Sequence, residues 1–74
     1  MSVVATVREW HEEEGWGVLD APGFSGGVWA HYSAIPEDGY KSLRPGDVVT
    51  AEVESVIDQD GYRFRATSIE RSTG

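Results

Sequence analysis

The sequence predicts an all-β protein, a small closed or nearly closed barrel of about five short strands. Apolar and polar residues alternate in five separate stretches, the period of a half-buried strand. Nine glycines and three prolines punctuate the chain at short intervals, leaving few windows long enough for an ordinary helix. At 74 residues the chain makes one domain, 1–74, with a modest core. It has no cysteine, which excludes disulfide staples and thiolate zinc sites, so the apolar centre must hold the fold.

The first strand is expected over Val3 to Trp10, with Val3, Ala5 and Val7 on one face and Val4, Thr6, Arg8 and Trp10 on the other. The second sets Gly17 and Leu19 against Trp16 and Val18, and the third sets Val28 and Ala30 against Trp29 and His31. Ser33 to Leu43 has no alternation and reads as a long crossing loop with one helical turn at Ser33–Ile35. Arg44-Pro45-Gly46-Asp47 is a turn into the fourth strand, which alternates Val49, Ala51 and Val53 against Val48, Thr50, Glu52 and Glu54. Asp58-Gln59-Asp60-Gly61 is a hairpin signal, since Asp-Gly supplies the positive φ of a tight turn. The fifth strand sets Tyr62, Phe64 and Ala66 against Arg63, Arg65 and Thr67, and residues 71–74 read as a disordered tail.

Thirteen acidic residues against six basic ones give a net charge of -7. That argues against a binder built on a basic stripe and disfavours anionic membranes. No apolar run approaches the ~18 residues needed to span a bilayer, and the first residues lack a positive leader region, so a cytoplasmic monomer is expected. Net charge does not exclude a local binding face.

The placement of eight aromatic residues is the informative feature. Val7, Leu19, Val28, Val49, Val53 and Ile69 already supply a slim interior. With Gly17, Leu19, Val28 and Ala30 facing inward, Trp16, Val18, Trp29 and His31 face outward together. Such contiguous exposed aromatics mark a contact surface, whereas the bland reading has the two tryptophans plugging the barrel ends. Flat rings on a sheet suit the stacking of unpaired bases, each stack worth about 1–3 kcal/mol with little dependence on base identity. A binder of this kind needs few cations.

Gly15-Trp16-Gly17-Val18-Leu19, followed by Val28-Trp29-Ala30-His31-Tyr32-Ser33-Ala34-Ile35, resembles the paired ribonucleoprotein motifs of bacterial cold-shock proteins, K-G-F-G-F-I and V-F-V-H-F. Asp38-Gly39-Tyr40-Lys41-Ser42-Leu43 and the Pro45-Gly46 turn continue the resemblance, which runs from about Val4 to Ile69. It implies a five-stranded antiparallel barrel of the oligonucleotide-binding type that binds single-stranded DNA and RNA with low selectivity. Roles as an RNA chaperone or as a regulator of transcription or translation are implied too. Carried over by position, Arg8 is a basic first-strand contact, while Trp10, Trp16, Trp29, His31, Tyr32 and Tyr40 match aromatic or histidine contact positions. Val18 stands where the family has a second aromatic and offers packing without stacking. Lys41 follows Tyr40 in the loop motif, and Arg63 and Arg65 bring positive charge from a hairpin longer than usual. Glu9 replaces a stacking tryptophan and Glu14 a lysine, within the acidic run Glu12-Glu13-Glu14 beside the platform.

Other chemistry has little support. Adjacent residues of His11-Glu12-Glu13-Glu14 do not converge on one metal ion, and no motif places a nucleophile with His31. Gly23, Gly26 and Gly27 are turn residues, unlike a phosphate-cradling loop. No enzyme, cofactor, metal or small-molecule substrate is expected. The competing reading is a protein-interaction barrel whose aromatic groove takes an extended or proline-rich peptide.

Overall fold

A computed structural model of the chain describes residues 2–24, 26–35, 43–59 and 61–71. Strands β1 (Ser2–His11), β2 (Trp16–Asp20), β3 (Val28–His31), β4 (Val48–Gln59) and β5 (Tyr62–Arg71) form a closed barrel in the order β1-β2-β3-β5-β4. The joins β1–β2, β1–β4, β2–β3 and β4–β5 are antiparallel, and β3–β5 is parallel. One 3-10 turn, Tyr32–Ala34, follows β3 a residue earlier than expected, with His31 as its N-cap. Among the described residues no helix is long and apolar enough to cross a membrane.

The six residues expected to fill the interior, Val7, Leu19, Val28, Val49, Val53 and Ile69, are all buried. Ala5, Ala30, Ala51 and Ala66 join them, because the inward positions of so narrow a barrel leave little room for larger side chains.

The alternation of β1 does not run unbroken. Val7 pairs with Leu19, but Glu9 pairs with Val18, so Arg8 is the extra residue of a β-bulge. Beyond it the faces exchange. Trp10 pairs with Gly17 and packs against the core, instead of sharing the outer face with Thr6 and Arg8 as simple alternation requires. The bulge forms where another segment docks: the Val7 amide donates to Asp47 O and the Gly46 amide to Val7 O, both at 2.8 Å. The Arg44–Asp47 turn is itself closed by the Asp47 amide donating to Arg44 O at 3.0 Å.

The expected hairpin joins β4 to β5, with Gln59 opposite Tyr62 and Gly61 at φ +90°. Asp60 lies outside the described residues. β5 runs through Arg71, which pairs with Val49, so the tail expected from position 71 begins no earlier than 72; residues 72–74 also lie outside the described residues. The same holds for 36–42, and with them Tyr40 and Lys41.

Candidate nucleic-acid interface

The register of β2 and β3 builds the site. Gly17 faces Ala30 and Leu19 faces Val28, all four buried, which turns the alternate pairs Trp16–His31 and Val18–Trp29 to the outside. Trp16, Trp29 and His31 are half-buried, and neither tryptophan belongs to the core cluster. Their rings form a row. Trp16 and Trp29 have centroids 6.4 Å apart and planes within 18°, and Trp29 and His31 follow at 5.9 Å and 22°. Tyr32, 47% exposed, continues the row at 4.7 Å from His31.

Local chemistry fixes these rings. Gly15, at φ +77°, gives its carbonyl to the Tyr32 amide at 2.8 Å. A Cβ there would stand 2.7 Å from Tyr32 Cδ1, so only glycine lets the phenol ring lie this close. The Ser33 amide donates to His31 Nδ1 at 3.1 Å; a nitrogen that accepts carries no proton, so the neutral ring bears its proton on Nε2. Trp16 Nε1 donates to Glu14 Oε1 at 2.8 Å. The indole N–H of Trp29 is buried without a hydrogen-bond partner.

Val18 departs from the outward reading. It is 0% exposed, although it is not part of the core cluster. Part of its cover comes from Gly27: a Cβ there would stand 2.7 Å from Val18 Cγ1, so the glycine backbone lies close against it, with Arg8 Nη2 beyond at 3.1 Å from the same point. Val18 therefore offers no surface to a ligand.

Two of the cations are not bare. Arg8 donates from Nε to Asp20 Oδ1 at 2.9 Å and from Nη2 to the same oxygen. That hydrogen bond holds the Asp20 carboxyl below the usual carboxylate range and raises the Arg8 guanidinium above its own. Arg65 Nη2 donates to Glu54 Oε1 at 2.7 Å. Arg63 is exposed and pairs with no carboxylate among the described residues. Beside the ring row, an open cleft of about 490 Å³ is lined by Trp29, His31, Ser33, Arg65 and Thr67 among others.

Reasoning from sequence missed three participants, His11, whose ring lies 4.4 Å from Trp16, and the carboxylates Asp20 and Glu54, and it placed Glu14 beside the platform without its bond to Trp16. The Glu14–Trp16 spacing was a readable signal; the two ion pairs depend on strand register. Among the described residues no group of three His, Cys, Asp or Glu is placed to hold a metal ion.

A flat aromatic row on the outside of a five-stranded barrel defines a surface for planar ligands. No family model matches the chain. It is 41% identical over 54 residues to the major cold shock protein CspA of Bacillus cereus, covering 73% of this chain and 79% of that protein. It is 38% identical over 50 residues to the cold shock-like protein CspD of Haemophilus influenzae, covering 68% and 69%. To the cold shock protein CspA of Staphylococcus aureus it is 44% identical over 48 residues, covering 65% and 71%. The chain belongs to the cold-shock protein family, which is known for nucleic-acid binding.

Proposed function

We propose that this protein binds single-stranded DNA and RNA by stacking bases on Trp16, Trp29 and His31, with low sequence selectivity and no catalysis. The near-parallel row of rings outside the core is the observation that carries the reading. Every base has a π-face, so such a row accepts any of them. The Nε2 proton of His31 is a donor a base or phosphate oxygen can meet.

Tyr32 extends the row, Arg63 and the opened forms of Arg8 and Arg65 supply phosphate contacts, and Tyr40 and Lys41 add to the site on the strength of the family resemblance. Trp10 lends an edge from its partly buried position. The protein acts as a cytoplasmic monomer that keeps RNA single-stranded or regulates transcription or translation.

Titration with oligo-dT and oligo-rU should quench the tryptophan fluorescence, and a proline-rich peptide of equal length should not. Trp16→Ala and Trp29→Ala should each weaken oligonucleotide binding by about 1–3 kcal/mol while the barrel stays folded. Unfolding of either variant would make that indole part of the core. Quenching by the peptide alone would hand the groove to a protein partner.

A further inference from the structure

Two guanidinium groups on the barrel, those of Arg8 and Arg65, are each held by a carboxylate from a neighbouring strand. Arg65 is the register partner of Trp29 across the β3–β5 join and lines the same cleft. Glu54 stands directly opposite Arg65 in β4 and accepts its hydrogen bond. On the other side Arg8 lies beside Gly27, next in sequence to β3, and is held by Asp20. In both pairs each side chain keeps roughly half its surface in water, between 41% and 52%.

Exposed ion pairs of this kind are weak and exchange partners readily. To a guanidinium, a phosphate oxygen and a carboxylate oxygen are the same class of acceptor. We propose that Asp20 and Glu54 are internal competitors, carboxylates that occupy Arg8 and Arg65 in place of backbone phosphates and so hold down both the affinity and the salt response of the platform. This rests on the single-strand binding proposed above. A nucleic acid gains each arginine only by displacing its carboxylate, so the bases must supply most of the attraction. Bracing of neighbouring strands is the competing role for the same pairs, and it gives different results.

The test compares Asp20→Asn, Glu54→Gln and the double variant with wild type, measuring oligo-dT binding by tryptophan quenching over a range of salt. Glu70→Gln is the control: it makes the same charge change on β5, where Glu70 faces Thr50 and holds no arginine among the described residues. Asp20→Asn and Glu54→Gln should each tighten binding about two- to fivefold at low salt. Each should steepen the slope of log K against log salt by about 0.7, the increment for one more neutralised phosphate on a single strand, and the double variant by about 1.4. Arg65→Gln added to Glu54→Gln should remove that variant's extra slope. An unchanged slope in the folded double variant, or equal steepening by Glu70→Gln, overturns the proposal. Unfolding of Asp20→Asn and Glu54→Gln assigns the pairs to strand bracing and overturns it as well. If wild type fails to bind oligo-dT at any salt concentration, the stacking function itself falls.

Discussion

At Gly17 the barrel wall has no room for a methyl group. A Cβ there would stand 2.4 Å from Glu9 O and 2.4 Å from Trp10 Cε3, and the first of these is backbone that cannot swing aside. Gly17→Ala should therefore destabilise the protein by about 1–3 kcal/mol, as overpacking does, read as a lower urea midpoint at unchanged m-value. The motif glycine beside Trp16 thus serves the fold, leaving room for Trp10 against it, while the Trp16 ring next to it serves the surface. Glu14 separates the two roles further. Its family counterpart is a cation, but here its carboxylate anchors the Trp16 indole, a use that follows from its place in the turn where the Glu14 and Gly15 amides both donate to His11 O.

At the level of elements, all five strands and the six residues expected to fill the interior were legible, because a slim barrel favours small or branched residues inside. The face of Trp10 was not. Period-two reading carries one register along a strand, and the bulge at Arg8 that resets it is stabilised by the Gly46–Asp47 turn far along the chain. The burial of Val18 was hidden too, since Gly27, from another segment, lies close against it. The ring row was legible because β2 and β3 pair without a slip from Trp16–His31 to Leu19–Val28. The pairing of Arg65 with Glu54 was not, because bulges shift the β4–β5 register between Glu52 and Val53 and between Ser55 and Gln59. The hairpin gives a clean test. A Cβ on Gly61 meets no atom within 4 Å, so Gly61→Ala carries only the cost of its φ of +90°. It should lower stability by about 1 kcal/mol with no change in oligonucleotide affinity, as measured by thermal melting and quenching on the same sample.

For the whole molecule, a net charge of -7 surrounds a platform on which Arg8 and Arg65 are already engaged by carboxylates. Binding should therefore respond weakly to salt. Two or three neutralised phosphates on a single strand give a slope of log K against log salt no steeper than about -2. A slope beyond about -4 would mean phosphate attraction, not base stacking, dominates. Acidic proteins and acidic polymers repel at long range, so association should begin from close encounters and not from steering.

The barrel closes through the parallel join of β3 to β5, where Trp29 and Arg65 are the registered pair. Parallel pairing is slightly less stable per residue than antiparallel pairing, and this ladder has a single registered pair, so local opening of the cylinder is expected to start at this seam. The same two residues border the binding cleft. A strand lying across both is then a clasp on the seam, and occupancy and closure become one linked equilibrium. At a hundred times its dissociation constant such a ligand adds about 2.7 kcal/mol to the folded state, a large share of the stability of so small a domain.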